Sequence, residues 1–178
     1  GCSLGASTSS LLNALSGRSK IIAIDNSDSM VRSCAERFSD PIKTGQVNFL
    51  KEDISHSEIV NASIVVINFV LQFLSIKERA ELMQKIYQGL VPGGILILSE
   101  KIHFDSKKRT DEISCIHHSF KAANGYSKLE IASKRDSLEG VLVTETESQH
   151  FDRAKELGFK SSTKLMSNLN FSTYMFQK

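Results

Sequence analysis

Gly1-Cys2-Ser3-Leu4-Gly5-Ala6-Ser7-Thr8, read with Lys20-Ile21-Ile22-Ala23-Ile24-Asp25-Asn26, is the stretch on which the reading of this chain turns. Two glycines flanking small residues let a backbone turn pass close to a bulky ligand, and a carboxylate ending the next strand can accept two hydrogen bonds from a ribose diol. The pairing indicates a nucleoside-containing cofactor. The same parts serve nicotinamide dinucleotides and S-adenosylmethionine. The loop runs G-x-x-x-G, with Ser3 where a dinucleotide fingerprint would place the glycine that admits pyrophosphate, so S-adenosylmethionine is favoured. The plainer alternative is a glycine turn between strand and helix beside an incidental acid.

A loop of this kind follows a strand, normally a central one, yet no apolar run stands ahead of Gly1. The reading therefore expects an N-terminal segment carrying the first strand, missing from this sequence. Without such a strand, both neighbouring edges and much of the core would be exposed.

The chain's 178 residues fit one domain with a sizeable core. With 22 basic and 20 acidic side chains, the net charge of +2 gives no global case for direct nucleic acid binding or for a membrane surface. Cys2, Cys34 and Cys115 are widely spaced and odd in number, which argues against a disulfide framework and for a reducing, cytoplasmic compartment. No run approaches a membrane span, and no signal peptide or internal repeat is visible.

The pattern predicts a helix from Thr8 to Leu15 ended by Gly17 as a left-handed cap, then a strand over Lys20 to Ile24. A helix capped by Ser27 or Asp28 should run to about Phe38, before Pro41 forbids continuation. A strand over Val47 to Leu50 delivers Asp53 and Ile54, an acid for an adenine amino group and an apolar cover for its ring. Ile64 to Ile67, the most buried-looking strand, delivers Asn68 at its carboxyl end, where ligands of open α/β sheets collect. Glu78 to Gln88 reads as a helix with an apolar stripe of Ala80, Leu82, Met83, Ile86 and Tyr87. Gly89 then caps it, and Val91-Pro92-Gly93-Gly94 turns into a strand over Ile95 to Ser99. This alternation implies a parallel sheet.

After Glu100 the alternation stops. Residues 105 to 140 read as a polar helical insertion within the single domain, either a lid or a dimerisation arm. A helix ending at Gly158 follows, then strands Phe159 to Met166 and Asn170 to Phe176 joined by a Ser167-Asn168 turn. The fold class is therefore α/β and Rossmann-like, a mostly parallel sheet closed by an antiparallel hairpin, as in class I methyltransferases.

Cys115, His117 and His118 invite a metal reading. Successive helical residues point about 100° apart, and no second ligand pair completes a tetrahedral site, so no metal is expected. No G-x-S-x-G elbow is present either. Arg135, in Lys134-Arg135-Asp136, reads in isolation as a solvated helix charge.

Several segments together resemble the carboxy-S-adenosyl-L-methionine synthase family. They are Gly1-Cys2-Ser3-Leu4-Gly5, Ile24-Asp25-Asn26-Ser27, Asn68-Phe69 with Leu71-Gln72-Phe73-Leu74, Ile86-Tyr87-Gln88-Gly89-Leu90, Leu98-Ser99-Glu100-Lys101, Ala123-Asn124-Gly125-Tyr126-Ser127 and Lys134-Arg135. The likeness spans the chain and includes the insertion. It implies an enzyme that uses prephenate to convert S-adenosyl-L-methionine into carboxy-S-adenosyl-L-methionine, releasing phenylpyruvate and water. It also implies a homodimer and a functional link to a tRNA carboxymethyltransferase acting at the wobble uridine. By motif, Gly1, Cys2 and Ser3 would line the cofactor's amino acid portion, Asp25 and Asn26 the ribose, Asp53 and Ile54 the adenine, and Asn68 the sulfonium side. Arg135 would bind the added carboxylate as the catalytic arginine, and a further cofactor-contacting tyrosine belongs to the family's N-terminal segment.

Three positions depart from the family pattern: Ser7 for alanine, Val70 for a small polar residue, and Ala122 for arginine. A cation ~4 Å from a bare sulfonium would be repelled by about 4 kcal/mol at an effective dielectric of about 20, whereas an added carboxylate accepts two hydrogen bonds from an arginine fork. The scheme that the resemblance implies, an ylide capturing carbon dioxide beside it, needs proximity and exclusion of water more than a protein base. The alternative is a conventional S-adenosylmethionine-dependent methyltransferase acting on tRNA or a small acid.

Overall fold

The computed structural model describes residues 1–15, 17 and 19–178. The chain divides into two compact units, Gly1–Glu58 and Ile59–Lys178, each described by itself.

The first unit contains α1 (Ala6–Ala14), β1 (Ile21–Asp25), α2 (Asp28–Arg37), α3 (Ser39–Lys43) and β2 (Val47–Lys51). β1 and β2 pair in parallel, with Asp25 opposite Lys51, so the loops that follow them emerge side by side. Cys34, Phe38 and Val47 are buried, and the Phe38 and Phe49 rings meet at 5.4 Å. One expectation is corrected: α1 closes at Ala14 with Leu15 extended as its cap residue, ahead of Gly17, so Gly17 is not the helix cap. α2 starts after its Ser27 cap residue and ends at Arg37 with Phe38 as cap residue, as expected, and Pro41 lies beyond it in the first turn of the separate α3, where its missing N–H has no intrahelical partner to lose.

The second unit contains β3 (Ala62–Asn68), a 3₁₀ turn (Leu71–Phe73), α4 (Ile76–Gly89), β4 (Leu90–Lys101), α5 (Lys107–Ala123), α6 (Lys128–Leu138), α7 (Glu147–Leu157), β5 (Ser161–Asn168) and β6 (Phe171–Gln177). The strand order is β3-β4-β6-β5, with β3 parallel to β4 and the last two strands antiparallel. The core lies along β4 and β6, whose alternate residues Leu96, Leu98, Tyr174 and Phe176 are completely buried, and on α4 through Leu82, Met83 and Ile86. Phe159 bridges Tyr87 and Phe176 at ring separations of 5.0 and 5.8 Å.

Ser75, Ser127 and Thr146 each close a capping box at a helix start, satisfying amides that would otherwise lack partners. The helical reading of the insertion holds, as α5 and α6. Other expectations change. β3 is the edge strand of its sheet, and only Ile67 in it is buried, so it is not the most buried strand. The 91–94 turn is absorbed into β4 as an irregularity, the register stepping from Ala62↔Leu90 to Ile64↔Ile95. Ala80 faces solvent, and the hairpin turn falls at Leu169-Asn170 rather than Ser167-Asn168. Gly89 is the last residue of α4, not a left-handed cap; a Cβ there would lie 2.1 Å from the Ile59 carbonyl oxygen, so close backbone approach explains the glycine.

Candidate functional site

The first unit gathers Gly1, Cys2, Ser3, Asp25, Asn26, Asp53 and Ile54 at the carboxyl edge of β1 and β2. Cys2 N donates to the Ile24 carbonyl at 2.9 Å, which lays the glycine loop along the end of β1. Gly5 takes φ 77°, and a Cβ on it would lie 2.5 Å from Phe38 Cε2. Both the conformation and the contact demand glycine. From below, the Cys34 thiol donates to the Ser3 carbonyl at 3.2 Å and Arg37 Nη1 to the Leu4 carbonyl at 3.0 Å. Sequence reasoning missed both of these supports, which come from one face of α2.

Asp25 is buried at the head of this loop. Its Oδ2 accepts Ser3 N at 2.8 Å and its Oδ1 accepts Ser27 N at 3.0 Å. Each oxygen keeps a second lone pair for a ligand hydroxyl. Glu52 N donates to the Asp25 carbonyl at 3.1 Å, which carries the following turn past the same edge. There Asp53 is exposed and bends back on itself, Oδ1 accepting Ser55 N at 2.9 Å and Ser55 Oγ at 2.6 Å. Asn26 is exposed beside Asp25, and Ile54 is half-buried. The Cys2 thiol is pushed up to about 11 by burial and by the proximity of Cys34 and Asp25, so it is neutral and no nucleophile. The set fits a neutral polar and apolar nucleoside ligand: buried acceptors, a close backbone approach and no competing reactive group.

Asn68 and Arg135 belong to the second unit. Asn68 ends β3, half-buried, opposite Ser99. Phe69 follows with φ 59°, a strained conformation for an aromatic residue. A buried carboxylate that the sequence reading named only within a motif holds this bend: Glu100 accepts the amides of Val70, Leu71 and Gln72 at 3.1, 2.9 and 3.2 Å. Burial outweighs those bonds and the Arg79 charge, raising the Glu100 carboxyl to about 7. Gln72 in turn accepts Lys101 N through Oε1 at 3.3 Å and Val143 N through its carbonyl at 2.9 Å.

Arg79, 1 % exposed, donates to the Leu74 and Val143 carbonyls and pairs with Glu145 at 2.8 Å. Arg153 pairs with the same Glu145. Burial alone would raise the Glu145 carboxyl, but the bonds to the two arginines hold it below the usual range. Arg135 lies on α6 with 65 % of its side chain exposed, its Nε and Nη2 both on Asp136 Oδ1 at 3.0 and 2.9 Å. α6 packs against α5. Among the described residues, no group of three His, Cys, Asp or Glu side chains is assembled for a metal ion, and no helix is long and apolar enough to cross a membrane.

Known proteins give this geometry a family. Residues 1–96 match the model of a methyltransferase domain. The carboxy-S-adenosyl-L-methionine synthase of Shewanella halifaxensis is 45 % identical over 174 residues, covering 97 % of this chain and 72 % of that protein. The protein of the same name from Hydrogenovibrio crunogenus is 45 % identical over 175 residues, 98 % of this chain and 70 % of its own length. Among solved structures, the pyocyanin biosynthetic protein PhzM superposes on 100 % of the chain with a TM-score of 0.72 at 12 % identity. Human N-acetylserotonin methyltransferase in complex with SAM does so with a TM-score of 0.66 at 16 % identity. The chain spans about half the length of these two structures, 48 % and 46 %, and at such identities they establish the fold alone. With a glycine loop and a buried aspartate at the carboxyl edge of a parallel strand pair, a closing antiparallel hairpin, and 45 % identity across nearly its whole length, the chain belongs to the carboxy-S-adenosyl-L-methionine synthase family.

Proposed function

We propose that this protein is a carboxy-S-adenosyl-L-methionine synthase that takes its carboxyl group from prephenate. The observation that carries the reading is the near-full-length identity to proteins of that name, joined to a cofactor edge built by the chain's own residues. In the reaction the bond between prephenate's ring and its carboxylate breaks. The carbon so released bonds to the methyl carbon of S-adenosyl-L-methionine. The methyl proton leaves with the ring hydroxyl as water, and the ring becomes aromatic as phenylpyruvate. Atoms and charge balance with no metal or redox partner.

The residues of the chain bind and orient. Gly1, Cys2 and Ser3 line the methionine portion, Asp25 and Asn26 take the ribose, Asp53 and Ile54 the adenine, and Asn68 the sulfonium side. Arg135 supplies the fork for the added carboxylate. Its present partner, Asp136, is an exposed neighbour whose ion pair is weak in water, so exchange for a ligand carboxylate costs little. Ile116, Phe120, Tyr126 and Leu129, all more than half exposed on and between α5 and α6, form an apolar surface suited to a second copy of the chain. In this reading the product serves a tRNA carboxymethyltransferase at the wobble uridine, in the cytoplasm, without direct nucleic acid binding by this protein.

Mass spectrometry of the products from S-adenosyl-L-methionine and prephenate tests the reading. A sulfonium product heavier by carbon dioxide, lost in Arg135→Ala while S-adenosyl-L-methionine still binds, is the expected result. Recovery of S-adenosylhomocysteine from a tRNA or small-acid acceptor, with no carboxylated product, would replace it with the conventional methyltransferase.

A further inference from the structure

Within the second unit, a further group of side chains gathers at the carboxyl end of β4, none of them used above. Lys101, the last residue of β4, stands opposite Phe171, the first of β6, in the antiparallel ladder, so both side chains leave the same face of the sheet. α5 lies against that face. The His117 ring meets Phe171 edge-on at 5.1 Å, and Phe171 meets Phe69 in a T-shaped contact at 5.8 Å. Lys121 falls one helical turn after His117, on the same side of α5.

The charges in this group are all of one sign. After burial, the nearby Lys121 ammonium is what pushes the Lys101 amine down, and burial followed by these two lysines and His118 pushes His117 down. Among the described residues, no carboxylate forms an ion pair with Lys101 or Lys121. Holding two half-buried ammonium groups together beside an aromatic shelf is unfavourable until an anion joins them. Phe69, with its strained backbone, is the residue next to Asn68, so the shelf adjoins the position read as the sulfonium side.

We infer that Lys101 and Lys121, with the shelf of Phe69, Phe171 and His117, form a subsite for the carboxylate donor, a small cyclic unsaturated dicarboxylate. The ring lies on the aromatic shelf and the lysines hold one carboxylate. That carboxylate is the one the product retains, because pairing the departing carboxylate with two cations would stabilise the ground state and slow its loss. The assignment rests on the synthase reading above.

The test uses the purified protein and its Lys121→Gln, Lys101→Gln and Phe171→Leu variants. Steady-state turnover is measured with prephenate and S-adenosyl-L-methionine, and prephenate and phenylpyruvate binding by titration calorimetry. The expected result is a KM for prephenate raised at least tenfold in both lysine variants, a KM for S-adenosyl-L-methionine within twofold of the parent, and a weaker dependence of prephenate KM on ionic strength. A parent enzyme that carboxylates, with prephenate KM within twofold in Lys121→Gln, overturns the subsite and leaves the synthase reading intact. A parent that does not carboxylate overturns that reading. Phenylpyruvate binding that weakens tenfold in Lys121→Gln would then still uphold the subsite, and unchanged or absent binding would overturn it. Lys121 is on a helix surface and outside the core, so its variant decides the matter should Lys101→Gln fold poorly.

Discussion

Glu100→Gln and His150→Leu should tilt the pH dependence of stability in opposite directions relative to the parent protein. Both side chains are almost completely buried in the second unit, at 1 % and 2 % exposure. Burial raises the Glu100 carboxyl from 4.5 to about 7, and it lowers the His150 imidazole, whose ring nitrogens have no hydrogen-bond partner, from 6.5 to about 4. Between pH 4.5 and 6.5 the folded chain holds a proton on Glu100 that the unfolded chain has lost, so this group makes stability fall as pH rises. Over the same range the unfolded chain holds a proton on His150 that the folded chain excludes, so stability rises. Each slope reaches at most about 1.4 kcal/mol per pH unit, which integrates to about 2 kcal/mol across the window, and the two oppose each other. The lowered His117 imidazole adds to the rising side. Glu145, held below the ordinary range, acts on stability only as pH falls beneath that window.

Urea unfolding followed by circular dichroism at pH 4.5, 5.5 and 6.5 measures the slopes. Glu100→Gln removes the falling contribution, so across this range its stability should climb with pH by about 2 kcal/mol more than the parent's does. His150→Leu removes the larger rising one, so across the same range its stability should change with pH by about 2 kcal/mol in the falling direction relative to the parent's. Each substitution also shifts absolute stability through altered hydrogen bonds or packing, but that moves the height of the curve and not its slope. Two variants with the parent's own slope would refute the reasoning, since neither group could then be titrating differently on folding.

The remaining predictions concern packing and the loop. Glu145→Ala leaves Arg79 and Arg153 uncompensated in the interior and should cost about 3–5 kcal/mol in urea unfolding, whereas Lys77→Ala, which removes an exposed pair with Glu81, should cost less than about 0.5 kcal/mol. Gly5→Ala forces a side chain into a left-handed conformation against the Phe38 ring and should lower stability by about 2–4 kcal/mol. It should also weaken S-adenosyl-L-methionine binding in titration calorimetry; unchanged affinity would mean that the loop does not need this backbone path.

Much of the fold was legible because local chemistry and burial agree. Apolar runs at 21–24, 47–50 and 95–98 are strands, and the break in alternation after Glu100 became α5 and α6. A boundary error arose where a short-range rule met an exception: 91–94 has the composition of a turn but continues β4 as an irregularity. Gly89 looked like a cap because caps are the commonest use of a helix-terminal glycine, whereas its actual constraint comes from Ile59, far away in sequence. The glycine loop and Asp25 were legible as partners at one sheet edge because motif and neighbouring strand carry them together. Cys34 and Arg37, which hold the loop from α2, carry no such mark, since nothing in a helix sequence says which carbonyl a side chain will meet.

The motif Asn68-Phe69 with Leu71-Gln72-Phe73-Leu74 shows what this difference means for function. As a string of residues it invites assignment to the ligand as a block. In the structure its second half is committed to the fold: Leu71 is buried, the amides of 70–72 are taken by Glu100, and Gln72 ties β4 to the segment before α7. Arg79, Glu145 and Arg153 brace that arrangement with charges that only the assembled interior brings together. This rigid support lets Phe69 persist at φ 59°, a conformation that would relax if the following turn were free. The strain is thus stored where β3 hands over to the shelf of Phe69 and Phe171. What reads as one signal in sequence thus includes residues whose work in the structure is to position their own neighbours.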